Sequence, residues 1–423
     1  MLRRRGWLIL AAFSVALLLA AVSRRDAIAT KAITLDEAIT RALKVAPSLE
    51  SAAAQSDIGL AHIEEARAPL FPSVSGNSEY NQPSGYDKTI SNGGLTQAQV
   101  ALAYTAFDGG RRSAQLRAAR CAAQAATLGA RAAQAQVVFD TTVAYFDLLR
   151  ESESQAELAT SVNRLAKYVN IVEALQRSGR AIANDVLTLR VAHDTAELSL
   201  AAARQAQEQA SIMLGSMIDD FGDTSLMAAE ISGLPPPPTG DFTQNPAYQA
   251  AVRQLQAAKL TVDAARAELI PNVNLTLTTG WQGINPPKTF GHHFGASYDG
   301  AIAVPLFQGG LVPSHIDQAL AEEHAALAQQ KQIELQVKRD LAAANVRYQG
   351  ALDQLTILRR AQQTAGDAFA LYWTRFLGGG NATILEVTNA YQQAENLRLA
   401  HYDQEFNARQ AAAQARMILG LLQ

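Results

Sequence analysis

The stretch Val273-Asn274-Leu275-Thr276-Leu277-Thr278-Thr279-Gly280-Trp281-Gln282 alternates with a period of two. Val273, Leu275, Leu277, Thr279 and Trp281 fall on one face, and Asn274, Thr276, Thr278 and Gln282 on the other. Such alternation predicts a strand with one apolar and one polar face. About ten residues is also the length that a tilted strand needs to cross a bilayer. Two other segments have the same character. In residues 95–106, Ala98, Val100, Leu102 and Tyr104 oppose Gln97 and Gln99. In residues 294–304, Ala296, Tyr298, Ile302 and Val304 oppose Ser297, Asp299 and Ala303. A fourth strand-like segment covers residues 73–82. Strands of this kind suit a membrane barrel with a wet lumen, or one sheet of a soluble sandwich. The sandwich is disfavoured, because four isolated strands leave little to pack against. Four strands cannot close a barrel, since the smallest have about eight. The barrel must therefore be shared between chains.

The strands are embedded in very long helical stretches, predicted from about 110 to 177 and from 310 to 376. Some 67 residues at about 1.5 Å each span roughly 100 Å, which only lateral packing against other long helices can hold. Leu158, Val162, Leu165, Val169 and Val172 step by four and three, and Leu341, Tyr348, Leu352 and Leu355 keep a related rhythm. These are coiled-coil seams. A helix from Pro47 to about Ala68 precedes the first strand, with proline well placed in its opening turn. After each long helix a glycine turn leads to a return helix, about 184–214 and 383–419.

The chain repeats itself at about 200 residues. Ala66-Arg67-Ala68-Pro69-Leu70-Phe71-Pro72 reappears as Ala265-Arg266-Ala267-Glu268-Leu269-Ile270-Pro271, and Pro47 pairs with Pro246. Phe107-Asp108-Gly109-Gly110 returns as Phe307-Gln308-Gly309-Gly310, and Leu214-Gly215 as Leu419-Gly420. A unit this long is too large for a solenoid repeat, so duplication of a whole substructure is the better account. The organisation expected is a signal peptide over 1–29, a first repeat over 30–215, a linker over 216–245 and a second repeat over 246–423. Pro235 to Pro238 stiffen the linker.

Composition agrees with a helical assembly. Hydrophobic residues make up 48% but aromatics only 6%, so small apolar side chains are spread along polar helices. A net charge of −3 gives no basic face for nucleic acid. Cys121 is the single cysteine, which rules out an internal disulfide and reads as an inert thiol within a long helix. Arg3, Arg4 and Arg5 precede an apolar run from Trp7 to Val22, and Ala27-Ile28-Ala29 offers a small-x-small cleavage site. Export follows, with a mature start near Thr30. Beyond it no stretch approaches the roughly 20 apolar residues of a membrane-spanning helix.

Thr34-Leu35-Asp36-Glu37-Ala38 with Ala46-Pro47-Ser48-Leu49, the two Phe-x-Gly-Gly sites, and Gly179 to Leu187 resemble the motifs of TolC-like outer-membrane efflux proteins. The resemblance covers about residues 33–422, and the duplicated order of motifs is its specific feature. It departs from the family where Thr105 or Ala106 replaces a proline that Pro305 keeps. The resemblance implies a mainly α fold with a membrane β-barrel portion. It also implies a homotrimer, with twelve strands in the outer membrane and twelve helices in a periplasmic tunnel. The implied partners are a periplasmic adaptor protein and an inner-membrane pump, with the channel serving tripartite efflux or type I secretion.

By the same resemblance Ser178, Gly179 and Arg180 form one adaptor-contact tip, with Ser and Arg departing from the family's pattern. Gly378, Gly379 and Gly380 form the other, one residue longer than is usual in the family. Glu386 matches an acidic position lining the pore constriction, Asn389 replaces a second acid, and Asp185 matches an acid beyond the first tip. Read from the residues alone, Thr383-x-x-Glu386 is a capping box, and Asn184 is a cap for the helix holding Asp185. Val273, Leu275, Leu277 and Trp281 are the expected lipid-facing set. His292 and His293, a histidine pair between two strands, read as a solvated loop and not as a metal site. No cofactor is expected, and no nucleophile, base and orienting group stand at recognisable spacing, so an enzyme is not expected. The competing reading is a soluble periplasmic coiled-coil adaptor or scaffold, against which the lipid-length strands count.

Overall fold

The structure, a computed structural model, describes residues 31–85, 94–220, 226–229, 240–284 and 294–422. The proposed signal peptide, Pro235 to Pro238, and His292 and His293 lie outside these residues. The elements run β1 (Lys31–Ile33), α1 (Leu35–Val45), α2 (Pro47–Arg67), β2 (Ser73–Asn81), β3 (Leu95–Phe107), α3 (Arg111–Arg177) and α4 (Ala183–Ile218). They continue with β4 (Leu226–Ala228), α5 (Pro246–Arg266), β5 (Asn272–Ile284), β6 (Phe294–Ala303), α6 (Leu311–Leu377) and α7 (Ile384–Ile418). The two long helices both contain 67 residues, and α2 and α5 both contain 21. No described helix is long and apolar enough to cross a membrane.

The described residues divide into two compact units, each drawing on both sequence repeats. The first comprises residues up to 47, 134–241 and 339–423. Its core holds Ile33, Ala38, Ala42, Tyr145, Phe146, Leu148, Leu214, Ile218 and Phe406. Thr34 caps α1 by accepting the Glu37 backbone N–H at 3.3 Å, and α1 buries Ala38 and Ala42. Beside it β1 and β4 pair in parallel. Sequence reading left the linker without this strand, because three residues carry too little alternation to register. The pair is held by Tyr145, whose buried hydroxyl lies 3.1 Å from the Ile33 carbonyl and 2.9 Å from that of Ala229. Tyr145→Phe takes this donor from the Ala229 carbonyl, while the Ile33 carbonyl keeps the Ala229 N–H at 3.0 Å, and is expected to cost about 1–3 kcal/mol, read as a lowered denaturation midpoint.

The second unit comprises residues 48–133 and 242–338. It contains a four-stranded antiparallel sheet of order β2-β3-β5-β6. Residues directly opposite one another share a face, so the register tests the alternation. Val74 faces Leu102, Leu102 faces Leu277, and Leu277 faces Tyr298. Tyr104 faces Leu275, Val273 faces Ile302, and Trp281 faces Phe294. The apolar residues of the alternating stretches thus join into one face, while Leu95 and Ile284 pair on the other. The other face carries Ser75 against Ala101, Ala101 against Thr278, and Thr278 against Ser297. A register shift between Thr105 and Phe107 adds one residue to β3 before its helix begins.

Candidate functional site

Three places in the fold are candidates for function: the apolar sheet face, the junction from strand to helix, and the two helical tips. On the sheet, Val273 and Leu277 are half-buried, while Leu275, Trp281, Tyr298 and Ile302 are exposed. All ten residues of β6 are exposed, and so are all nine of β2, which leaves both edges of the sheet open. An apolar face with two open edges is an aggregation site in water and needs a cover.

At the junction in the first copy, Arg112 is almost buried. Its Nε donates to Asp108 Oδ2 at 2.8 Å, Nη1 to the Pro69 carbonyl at 2.7 Å and Nη2 to the Thr105 carbonyl at 2.6 Å. Asp108 also accepts the backbone N–H of Gly110 at 3.1 Å and of Arg112 at 2.9 Å. Burial pushes the Asp108 carboxyl upward, but the hydrogen bonds and charge of Arg112 outweigh it and hold the group below its ordinary value. In the second copy Gln308 and Val312 stand at the corresponding positions, and a His315–Glu268 contact at 2.9 Å lies beside them.

Both tips lie in the first unit and end their long helices in the same way. Gly179 donates to Gln176 and Arg180 to Leu175, while Gly379 donates to Phe376 and Gly380 to Arg375. Each is a Schellman closure, and Gly179 (φ 75°) and Gly379 (φ 71°) take the left-handed conformation it demands. Ser178, Arg180, Gly378 and Gly380 are exposed with them. The second connection, Gly378 to Thr383, is one residue longer than the first, Ser178 to Ile182. Sequence reading missed the link between the tips: Arg180 Nη2 donates to the Leu377 carbonyl at 2.7 Å. It also missed the aromatic packing beneath them. Tyr168 lies 4.6 Å from Trp373 and 5.6 Å from Phe369, ring centre to ring centre, and Trp373 stacks on Phe376 at 6.1 Å. These rings surround the buried residues Val172, Val186, Leu189, Ile384 and Val387. The signal was present, because Phe369, Tyr372, Trp373 and Phe376 recur at helical spacing in a chain poor in aromatics.

The acidic candidates all take part in helix starts or stand beside them. Glu386 Oε2 accepts the Thr383 N–H at 2.8 Å and the Thr383 hydroxyl at 3.0 Å, and Thr383 Oγ1 accepts the Glu386 N–H at 3.3 Å. These bonds, the backbone one first, hold the exposed Glu386 carboxyl below its ordinary value. Asn389 is exposed one turn further along α7. Asp185 Oδ2 accepts the Ile182 N–H at 3.0 Å. That bond corrects one expectation: Asn184 does not cap α4. The helix begins a residue earlier, at Ala183, with Ile182 at the cap and Asp185 supplying the carboxylate.

Deeper between α3 and α7 lies an ion cluster with no sequence signature. Arg164 approaches Glu395 at 3.4 Å, and Arg398 approaches Glu395 at 3.0 Å and Glu157 at 3.3 Å. Burial pushes the Glu395 carboxyl upward despite these cations. Tyr391 and Ser161, hydroxyl to hydroxyl at 2.7 Å, seal its flank.

Residues 38–218 and 243–421 match the profile of the outer membrane efflux proteins. The chain belongs to that family. Membership makes it an outer-membrane efflux protein. It is 28% identical over 305 residues to protein CyaE of Bordetella pertussis, an alignment covering 69% of this chain and 64% of that one. It is 23% identical over 389 residues to the outer membrane protein TolC of Escherichia coli, covering 85% and 78%. Among solved structures, the outer membrane protein VceC of Vibrio cholerae superposes with a TM-score of 0.81 at 21% identity, covering 91% of this chain and 96% of that one. At that identity the superposition establishes the fold, that of TolC-like channels.

Proposed function

We propose that the chain is the outer-membrane exit duct of a multicomponent exporter and works as a homotrimer of duplicated protomers. The observation that carries this reading is the four-stranded sheet with its continuous apolar face and two open edges. Neither edge is tolerable in hydrocarbon, where each unpaired N–H and C=O goes unsatisfied. Joining β6 of one protomer to β2 of the next closes the edges, and three protomers give twelve strands with the apolar face toward lipid. Val273, Leu275, Leu277 and Trp281 are then lipid-facing, and Thr276 and Thr278 line the lumen. Such a duct conducts passively and has no catalytic step. The protein in detergent is expected to have the mass of three mature chains. A monodisperse monomer that keeps its strand signal sinks the reading.

The tips are proposed as the contact with a periplasmic adaptor, which couples the duct to an inner-membrane pump. The exposure of Ser178 to Arg180 and Gly378 to Gly380 supports this, since glycines without side chains let a partner approach the turn closely. The family resemblance and the relatives' names, a toluene efflux pump channel and a pyoverdine export channel among them, point the same way.

Glu386, with Asn389 on the same face and Asp185 on α4, is proposed to line the constriction. The cap bonds of Glu386 use Oε2, so the group holds its helix and presents charge at once. Three symmetric carboxylates attract a multivalent cation, which plugs the conductance. Glu386→Gln keeps the cap and removes the charge, so in planar-bilayer recordings cation block should be lost with little change in stability. Unchanged block assigns Glu386 to capping alone.

A further inference from the structure

Within the second unit, α2, α3 and α5 enclose a groove of about 1000 Å³. Four cations line it: Arg120 and Arg131 from α3, and Arg253 and Lys259 from α5. No carboxylate is among its lining residues. None of the four cations forms an ion pair among the described residues, and Arg253 donates only to Gln256 Oε1, at 3.0 Å. This is unusual on a chain of net charge −3, where other arginines pair readily. Arg120 and Arg131 recur three turns apart on one face of α3, Arg253 and Lys259 lie within two turns on α5, and the cations extend over roughly 20 Å.

The floor between the charges is apolar. Leu60 and Ile63 come from α2, Leu128 from α3, and Val252 and Leu255 from α5. The helices α2 and α3 approach closely enough that a Cβ on Gly59 would lie 3.1 Å from Ala123 Cα. A concave apolar floor ringed by unpaired cations concentrates positive potential and rewards an anion that carries an apolar body. Gln124, Thr127 and Gln249 add neutral hydrogen-bonding groups along the wall.

We propose that this groove is a binding site for small amphiphilic organic anions, meaning a carboxylate, sulfate or sulfonate attached to a hydrocarbon or aromatic body. The charge complementarity selects the sign of the ligand and the floor selects its apolar part. The volume is at the upper end of small-molecule sites, which favours a small ligand over a segment of an acidic protein.

Equilibrium dialysis of the full-length channel in nonionic detergent tests this, with naphthalene-1-sulfonate as probe and protein-free detergent as the blank. Saturable binding of the sulfonate is expected, together with at least tenfold weaker binding of the cationic analogue naphthylmethylammonium. The double variant Arg131→Gln, Arg253→Gln should lose at least tenfold, and the double variant Arg131→Lys, Arg253→Lys should retain binding. All these side chains are exposed, and size-exclusion mass verifies assembly of each variant. Equal binding of the two probes overturns the proposal, as does wild-type affinity in the glutamine variant. Binding of hexaglutamate without the sulfonate also overturns it, and gives the groove to an acidic protein segment.

Discussion

Replacing Leu277 with arginine is expected to abolish stable membrane assembly, whereas arginine at the adjacent Thr276 is tolerated. The two positions differ only in the face they occupy. Leu277 lies between Leu102 and Tyr298 in the middle of the apolar row, and Thr276 lies between Ala103 and Asp299 on the polar one. A guanidinium on the lipid face of a barrel costs about 2–4 kcal/mol near the midplane, hence roughly 6–12 kcal/mol for three copies. On a wet lumen face the same charge stays hydrated and its long stem has room. The measurement is the fraction of heat-resistant trimer in isolated outer membranes for each variant. Equal assembly of both means that the sheet does not present Leu277 to lipid.

The four strands of the antiparallel sheet were legible because period-two alternation is a local property of the sequence, and the two 67-residue helices because their seams repeat many times. Register was not legible in any single strand. It emerged only when Leu102, Leu277 and Tyr298 were found side by side. The tips were legible as turns, since Gly179 and Gly379 supply backbone freedom that few other residues have. What held them together was not. The Arg180 bond to the Leu377 carbonyl joins residues 197 apart, and a backbone acceptor leaves no trace in residue type. The same holds for the cationic groove: each of its four cations reads as an ordinary exposed helical position, and only the packing of three helices makes them one site. At Glu386 the residues supported a cap and the resemblance supported a pore, and the geometry realises the cap without excluding the charge from the face it shares with Asn389.

Arg112→Ala is expected to be the most damaging single substitution outside the strands. The junction of β3 and α3 departs from the family's proline, and the chain there contains the register shift after Thr105. Arg112 compensates by tying three segments together: the turn after α2 through the Pro69 carbonyl, the end of β3 through the Thr105 carbonyl, and its own helix start through Asp108. Alanine leaves a nearly buried carboxylate without its cation and two carbonyls without donors, a loss of about 3–5 kcal/mol. Lysine reaches one acceptor at a time and should recover only part of it. Val312→Ala, at the corresponding place in the second copy, removes two buried methyl groups and should cost about 1–2 kcal/mol, because no ion pair depends on Val312. The pH dependence separates the electrostatic loss from a packing loss. The Asp108 carboxyl is held below its unfolded value, so its contribution is present above that value and is lost as pH falls through the folded one. Denaturation midpoints of the wild type should therefore drop in the acid range, while Arg112→Ala starts lower and loses less over the same interval. Parallel curves for the two proteins assign Arg112 to packing and remove the ion pair from the account of this junction.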